Sequence, residues 1–339
     1  MSAELKPIKD YFKVFNHLIK QTSDYICNNN LKCMVLGISG GIDSTVVAAI
    51  CHEVSKRAGI PLIGRSLPTV FNKENETTTA DLVGKAFCDD YKVINIHGLY
   101  NRTLYLIGQN EDSCLDLSGN TLYEITDKFP AQQTAIANGN IQARLRMIYL
   151  YNLASIHGGL VMDTDNLTEN NLGYFTIHGD VGDFNPIGGL WKTEVFELAE
   201  WLLSCYSFQL PHNMYEATAE QLEKSGKVFS QGRAVRESLK LKPTAGLGIT
   251  NNDLEELGAE SYEQVDYILK EILAWKKSKL RQGFESFKEI SLDNFLTEQQ
   301  ILDIPANIVA EVSKRHFASE FKRKQLPIKI QRHTFINNN

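Results

Sequence analysis

The chain has 339 residues, of which 43% are hydrophobic and 22% are charged, and its formal net charge is -6. These values are those of a globular protein with one large core or one core plus a smaller appendage. The negative charge disfavours a general nucleic-acid or membrane binder, because phosphate-rich surfaces attract basic proteins. No apolar segment approaches the roughly 20 residues that cross a bilayer. We therefore expect no nucleic-acid and no membrane partner, although "HFASEFKRKQLPIKIQRH" is locally basic.

The six cysteines are scattered and none forms a C-x-x-C pair. Cys33 and Cys51 lie in apolar patterns, which favours buried free thiols over metal ligands or disulfides. The N-terminus "MSAELKPIKDYF" lacks the apolar core of a signal peptide. These features predict a reducing, cytoplasmic location.

Helical and strand patterns alternate in the first part of the chain. Apolar residues recur at helical spacing, whereas short continuous apolar runs are typical of parallel strands buried on both faces. In chain order the elements predicted there are a helix over 8–28, a strand over 33–38, a helix over 44–57, a strand in "IPLIGRSLPT", a helix capped by Asn72 and ending near Cys88, and a strand in "YKVINIH".

The next part of the chain is less regular. Residues 110–127 are polar and read as a loop, and "NGNIQARLRMIYLYNLASIHGG" reads as a long helix that ends at paired glycines. A fourth strand in "GLVMDT" precedes a loop over 163–189 and a helix over 192–203. Residues 212–241 have weak patterning and are interpreted as an inserted excursion.

Alternating strands and helices predict an α/β fold, a doubly wound parallel sheet flanked by helices. We expect one domain over 1–339, with residues 1–205 as the nucleotide-binding core. Residues 206–339 are expected to form a mostly helical extension that completes the substrate site.

The segment "VLGISGGIDSTVVAAI" places an S-G-G-x-D-S sequence between a strand and a helix. In an open parallel sheet, ligands bind beyond the carboxyl ends of the strands, where the helix N-terminus presents free N–H groups to an anion. Asp43 would repel a phosphate unless Mg²⁺ lies between them. The plain alternative is a glycine-rich turn with Asp43 as a helix cap. The sequence matches neither a Walker loop nor a Rossmann fingerprint.

S-G-G-I-D-S resembles the pyrophosphate loop of the ATP pyrophosphatases, enzymes of the adenine nucleotide alpha hydrolase-like fold. That superfamily cleaves ATP between its α and β phosphates and passes AMP to an acceptor. The resemblance implies an ATP site that includes Gly37, Ile38, Ser39, Gly40, Gly41, Ile42, Asp43 and Ser44.

Two central segments narrow the resemblance to NAD synthetases. "GNIQARLRMIYLYNLA" is similar to their N-x-x-A-R-x-R-M helix, which implies that Arg144 contacts substrate phosphates, while Arg146 is expected to point elsewhere. "VMDTDNLTENNLGYFTIHGDVGDFNPIGGLWKTEVFELA" resembles a second long family segment. It implies ATP contacts from Thr164 and Lys192, a Mg²⁺ ligand in Glu169 beside Asp43, and a substrate contact from Asp183.

The C-terminal matches are shorter. "KPTAGL" resembles the family's P-(S/T)-A-x-L and implies that Thr244 lies near ATP. "EFKRKQLP" resembles a terminal segment that reaches the deamido-NAD site, which implies contacts from Phe321 and Lys322.

The resemblance implies ATP-dependent amidation of deamido-NAD to NAD through an adenylated intermediate. Substrates would be ATP, deamido-NAD and ammonia, with Mg²⁺ as cofactor. No nucleophilic side chain and no general base are assigned. About 30 residues precede the first predicted strand, too few for the amidase domain of glutamine-dependent members, so we expect free ammonia as donor. The family is typically homodimeric, and the helix over 140–156 is a candidate for the interface.

Two alternatives stay open at this point. One is an ATP pyrophosphatase that acts on tRNA, against which the net charge and the absence of C-x-x-C count. The other is a catalytically impaired nucleotide-binding regulator. It rests on departures from the family pattern at Asp163, Ile177 and Phe321, where the family has Gly, Lys and His.

Overall fold

A six-stranded parallel sheet forms the centre of the protein, in the strand order β3-β2-β1-β4-β5-β6. The computed structural model describes residues 6–110, 131–208, 219–243, 253–282, 290–298, 301 and 303–336. Every strand pair is parallel, which confirms the predicted fold class. The strands are β1 (Met34–Gly37), β2 (Leu62–Ser66), β3 (Asp90–Val93), β4 (Leu160–Met162), β5 (Phe184–Asn185) and β6 (Ile328–Lys329).

Helices cover both faces of this sheet. They are α1 (Tyr11–Asn28), α2 (Ile42–Ala58), α3 (Glu74–Phe87), α4 (His97–Asn110), α5 (Ala131–His157), α6 (Leu167–Leu172), α7 (Lys192–Phe208), α8 (Ala219–Lys240), α9 (Asp253–Leu257), α10 (Tyr262–Arg281), α11 (Leu292–Glu298), α12 (Ala306–Ala318), α13 (Glu320–Arg323) and α14 (Arg332–Ile336).

Strand β1 divides the core into two layers because successive side chains point to opposite faces. Met34 and Leu36 pack into a cluster with α1, α2, α7 and α8. Val35 packs into a separate cluster with α4 and α5. This burial on both faces explains why β1 reads as a continuous apolar run rather than an alternating one.

Two segments differ from the sequence-based expectation. The predicted loop over 163–189 contains the short helix α6 and the strand β5. The predicted excursion over 212–241 is largely the helix α8, whose Ala234 and Val235 are fully buried in the core. Both predictions were wrong because tertiary packing stabilises elements whose own periodicity is weak. Asn72 also does not cap α3, which begins at Glu74 after Lys73.

The C-terminal segment closes one edge of the sheet. β6 pairs with β5, and Arg332 after it forms a buried ion pair with Glu194 on α7. The Arg332 guanidinium also donates to the backbone carbonyl of Lys6 at 2.6 Å. In the "KIQRH" end of the locally basic segment, Ile330 and Arg332 are therefore buried, whereas Gln331 and His333 are exposed. Residues 110–127 lie almost wholly outside the described residues.

Within the described part of the chain, no helix is long and apolar enough to cross a membrane.

Candidate active site

The loop between β1 and α2 forms one wall of a cavity of about 300 Å³ at the carboxyl end of the sheet. The Ser39 hydroxyl oxygen accepts from the Gly41 N–H at 3.2 Å and lies 3.0 Å from the Ser44 hydroxyl oxygen. Gly40 has a φ of +87°, and a Cβ there would come within 2.5 Å of the Glu76 carbonyl oxygen. The loop therefore needs glycine at this position for its turn and for its contact with α3.

Most of the predicted ATP contacts lie on the wall of this cavity, which we call the nucleotide cavity. Gly40 is not among the lining residues, and Thr244 lies outside the described residues. Those that line it are Gly37, Ile38, Ser39, Gly41, Ile42, Asp43, Ser44, Thr164, Glu169 and Lys192.

Asp43 and Glu169 converge on one ammonium group. The Lys192 Nζ lies 2.5 Å from Asp43 Oδ2 and 3.0 Å from Glu169 Oε1. Burial alone would lower the pKa of Lys192, but the two carboxylates raise it well above its usual value. Burial and the nearby Asp43 raise the pKa of Glu169. The three side chains thus form a compact charged triad on the cavity wall.

Asn166 links the two acids and received no role from the sequence. Its amide nitrogen donates to Asp43 Oδ1 at 2.9 Å, and its amide oxygen accepts from the Glu169 N–H at 3.0 Å. The Glu169 carboxylate in turn accepts from the Asn166 N–H at 3.1 Å, which completes a capping box at the start of α6. The sequence did contain a signal for this contact, because an asparagine three residues before a glutamate is typical of a capping box at a helix N-terminus.

Asp266 on α10 joins the helices that carry Glu169 and Lys192. The Thr168 hydroxyl donates to one of its oxygens, and the Thr193 N–H and hydroxyl donate to the other at 3.1 and 2.8 Å. The Lys192 N–H donates to the Thr168 hydroxyl oxygen at 2.8 Å. Burial raises the pKa of Asp266 to about 6. Nothing in the sequence distinguished Asp266 from an ordinary surface residue of an amphipathic helix.

Asp163 lies beneath the cavity rather than beside its opening. It is 1% exposed and accepts from the Gly182 N–H at 3.0 Å and the Asn185 amide at 3.0 Å. Burial raises its pKa to about 7. The side chain is not part of the lining of the nucleotide cavity, so it adds no bulk or charge there.

The two arginines of α5 point in different directions, as their spacing along the helix predicts. Arg146 lines the nucleotide cavity, and its guanidinium donates to the Leu67 carbonyl at 3.0 Å and to the Asn72 side chain at 3.3 Å. Arg146 thus points away from the face of α5 that carries Arg144, and its place on the wall of the nucleotide cavity is a finding of the structure. Arg144 is exposed and donates to the Ile177 carbonyl at 3.3 Å.

Arg144 lines a second cavity of about 560 Å³, which we call the α5 cavity. Its walls are mostly apolar. Arg144 and His178 are the basic residues among those that line it. The lining residues are Arg144, Met147, Ile148, Tyr151, Phe175, Ile177, His178, Val181, Gly182, Gln325 and Pro327.

The remaining predicted substrate contacts do not reach a cavity wall. The Asp183 carboxylate accepts from the Val161 N–H at 2.9 Å, whereas Asp180, three residues earlier, lines the nucleotide cavity. Burial raises the pKa of Asp180 to about 6. Lys322 donates to the carbonyls of Gly173 and Phe175 at 2.8 and 2.7 Å. Phe321 is exposed.

Comparison with known proteins identifies this constellation. A family described as NAD synthase matches residues 14–326. The chain belongs to the NAD synthase family. The NH(3)-dependent NAD(+) synthetase of Thermococcus sibiricus is 30% identical over 320 residues, 94% of this chain and 97% of that protein. The enzyme of the same name from Pyrococcus horikoshii is 31% identical over 322 residues, 95% of each chain.

Solved structures agree with this NAD synthase fold. NMN synthetase from Francisella tularensis aligns with a TM-score of 0.61 at 24% identity, covering 93% of this chain and 97% of that one. The NH3-dependent NAD synthetase of Campylobacter jejuni aligns with a TM-score of 0.54 at 20% identity, covering 96% and 100%. NAD synthases use ATP, and neither the tRNA-directed nor the regulator alternative is favoured by these relatives.

Proposed function

We propose that this NAD synthase is a ligase that amidates deamido-NAD to NAD with ammonia and ATP, releasing AMP and pyrophosphate. The observation that carries the proposal is the convergence of Asp43 and Glu169 on one cation position beside the glycine-rich loop. The relatives named NH(3)-dependent NAD(+) synthetase, matched over nearly the whole chain, support the same activity.

The chemistry has to activate a carboxylate, which lacks a good leaving group. A carboxylate oxygen of deamido-NAD attacks the α-phosphorus of ATP, and the bond to the β-phosphate breaks to release pyrophosphate. Ammonia then attacks the carbonyl carbon of the resulting mixed anhydride, a proton passes to solvent, and AMP leaves. Positioning the carboxylate against the α-phosphate supplies much of the rate.

The residues of the nucleotide cavity suit the first step. The N–H groups at the start of α2 and the hydroxyls of Ser39 and Ser44 offer donors to the departing pyrophosphate. Arg146 adds a half-buried guanidinium to the lining of this cavity, and a guanidinium can bind an oxyanion in a bidentate manner. These assignments, and those of Thr164 and Thr244, are part of the proposal.

Asp43 and Glu169 fit a Mg²⁺ ion because both already contact a single cation, the Lys192 ammonium. Mg²⁺ is usually held by one or two carboxylates together with substrate phosphates. Such an ion would offset charge on the triphosphate. Within the described residues, no group of three or more His, Cys, Asp or Glu side chains forms a ready metal site, which fits a metal held partly by substrate oxygens.

We assign deamido-NAD to the α5 cavity, with Arg144 on its phosphates and Asp180 near the shared end of the two cavities. Met147 lines both cavities, so the two are neighbours, and the proposal requires that a substrate in one reaches a nucleotide in the other. Phe321, Lys322 and Asp183 stay predictions as direct contacts. A cytoplasmic location also stays a prediction.

We further propose a homodimer through the exposed face of α5. Ile148 and Ile156 on this helix are 64% and 70% exposed, and Ile148 also lines the α5 cavity. Apolar side chains exposed along a helix beside a ligand site are typical of an interface. A partner subunit would then complete the cavity wall.

The activity test is incubation of the purified protein with ATP, Mg²⁺, ammonium and deamido-NAD. We expect NAD, AMP and pyrophosphate in equal amounts, with no pyrophosphate when deamido-NAD is omitted. Nucleotide binding without turnover would instead favour a regulator. Retardation of tRNA in a gel at physiological salt would favour the tRNA-directed alternative.

The dimer test is Ile148→Glu, followed by sedimentation at several protein concentrations. We expect the wild type to sediment as a dimer and the variant as a monomer, since a charge in an apolar interface is costly. Leu280→Glu is the matched control, because Leu280 is 60% exposed on α10. A monomeric wild type would contradict this part of the proposal.

A further inference from the structure

The position between Asp43 and Glu169 is filled by the side chain of Lys192. The residue is 1% exposed, and its ammonium contacts one oxygen of each carboxylate. The ammonium also lies 5.6 Å from the centre of the Tyr262 ring. Its backbone is fixed as well, because the Lys192 N–H donates to Thr168. This is a defined internal arrangement rather than a surface ion pair.

A divalent ion held by the same two carboxylates would need the place that the ammonium occupies. Two cations in one position repel each other strongly in a poorly solvated site. The lysine therefore has to leave before or as the metal arrives. The triphosphate offers a destination, because it brings negative charge to the neighbouring cavity wall at Ser39 and Ser44. The flexible four-carbon stem of lysine permits such a movement while the backbone stays in place.

We propose that the Lys192 ammonium acts as a placeholder for the metal, so that a divalent ion enters the Asp43–Glu169 position only together with the triphosphate. This inference rests on the proposed function for the identity of the nucleotide. In the nucleotide-free protein the lysine offsets the repulsion between the two acids. When nucleotide binds, the Lys192 ammonium would move to the phosphates and leave the two carboxylates free to hold a divalent ion.

The arrangement has a consequence for binding order. Without nucleotide, a metal ion would compete with the Lys192 ammonium for Asp43 and Glu169. Its apparent affinity for this position is therefore low. Nucleotide removes the competitor and adds phosphate ligands, so metal and nucleotide bind cooperatively. By linkage, the metal raises the affinity for nucleotide by the same factor.

The test is a Mn²⁺ titration of the full-length protein followed by electron paramagnetic resonance, which reports free Mn²⁺. The wild type is titrated with and without an α,β-methylene analogue of ATP. We expect binding to the analogue-free protein to be at least about tenfold weaker, the scale on which one nearby charge changes the protonation of a carboxylate. Lys192→Met should bind Mn²⁺ about tenfold more tightly than the wild type when no analogue is present.

Lys242→Met is the matched control, because Lys242 lines the same cavity and is exposed. It should bind Mn²⁺ like the wild type in the absence of analogue. Thermal unfolding gives a second readout: Mg²⁺ alone should raise the melting temperature of Lys192→Met more than that of the wild type.

The proposal is overturned if the analogue-free wild type binds Mn²⁺ as tightly as the analogue complex, or if Lys192→Met gains no affinity for Mn²⁺. If Lys192→Met fails to fold, Lys192→Gln, which also removes the charge but keeps a polar side chain, takes its place in the same titrations. None of these measurements uses deamido-NAD or ammonia. A failed amidation assay with the expected Mn²⁺ behaviour would therefore overturn the proposed function and leave this inference standing.

Discussion

The two cavities of this protein are built on opposite principles. The nucleotide cavity is lined by charged side chains that are already paired with one another, such as Lys192 with Asp43 and Glu169. The α5 cavity is mostly apolar and has one guanidinium, Arg144, on its wall. In the nucleotide cavity, hydrogen bonds and ion pairs within the protein fix the charged side chains. The α5 cavity exposes apolar surface that the described residues do not cover.

This difference separates activation from recognition. In the proposed mechanism, adenylyl transfer depends on charges held in fixed positions, and the hydrogen bonds of Asn166 and Asp266 help to hold them there. Recognition of a pyridine nucleotide needs contact area and one or two phosphate contacts. Changes in the first cavity should therefore act on turnover, and changes in the second on substrate affinity.

The strongest test of the first cavity is Asp43→Asn. We expect turnover to fall by about 1,000-fold or more, because the variant removes a charge that the site needs during phosphate transfer. Folding should change little, since an amide can still accept from Asn166. Pyrophosphate release measures the effect, with Asp24→Asn on the exposed face of α1 as control. Full activity in Asp43→Asn would remove the basis for the metal assignment.

Asp266→Asn tests the scaffold behind that cavity through the pH dependence of stability. The folded-state pKa of Asp266 is raised to about 6, so its stabilising contribution is present below the unfolded-state value and is lost as pH rises through about 6. Relative to the variant, the wild type should lose about 2 kcal/mol of unfolding free energy between about pH 4 and pH 6.

Urea unfolding of both proteins across this range measures the difference, and Asp293→Asn on α11 is the control. A difference that does not change with pH would mean that Asp266 is not held in a buried, charge-disfavouring environment. The variant should also lower the turnover number more than it changes the KM for ATP, since Asp266 positions the helices of Glu169 and Lys192.

Arg144→Met tests the second cavity. We expect about a tenfold rise in the KM for deamido-NAD with little change in the KM for ATP, because one charge-assisted phosphate contact is lost. Arg102→Met on α4 is the matched control for removing a surface arginine. An equal rise in the KM for ATP and the KM for deamido-NAD would contradict the assignment of one substrate to each cavity.

Ile177→Lys is the mildest change and restores the residue that the family pattern has at this position. We expect the KM for deamido-NAD to fall by about two- to fivefold, since an exposed charge contributes little in water. Steady-state kinetics at two salt concentrations checks this, and high salt should remove the gain. A rise in KM would show that the apolar wall itself contacts the substrate.

The sequence anticipated most of the nucleotide cavity because its residues lie close together along the chain. The loop from Gly37 to Ser44 is one turn between a strand and a helix, so strand order and helix polarity already place it at the carboxyl edge of the sheet. The family pattern then brought Glu169 and Lys192 to the same place, and the structure joins both to Asp43.

The placement of two pairs of neighbouring residues depends on the tertiary structure. Arg144 and Arg146 are two positions apart on α5, so they point in different directions, and only the packing of α5 against β1 and β4 decides which one faces the nucleotide. Asp180 and Asp183 lie in an irregular segment without periodicity. There the hydrogen bond from Val161 takes Asp183 into the strand edge and leaves Asp180 on the cavity wall.

The sequence by itself determined the α/β fold class, the family and many of the residues that line the first cavity, because these follow from local patterns and contiguous motifs. Tertiary structure alone decided that α8 packs against the core, that Asp266 joins two helices, and that Lys192 lies between the two acids. These features depend on residues tens of positions or more apart. Their proximity is fixed by burial and packing, which no single stretch of sequence encodes.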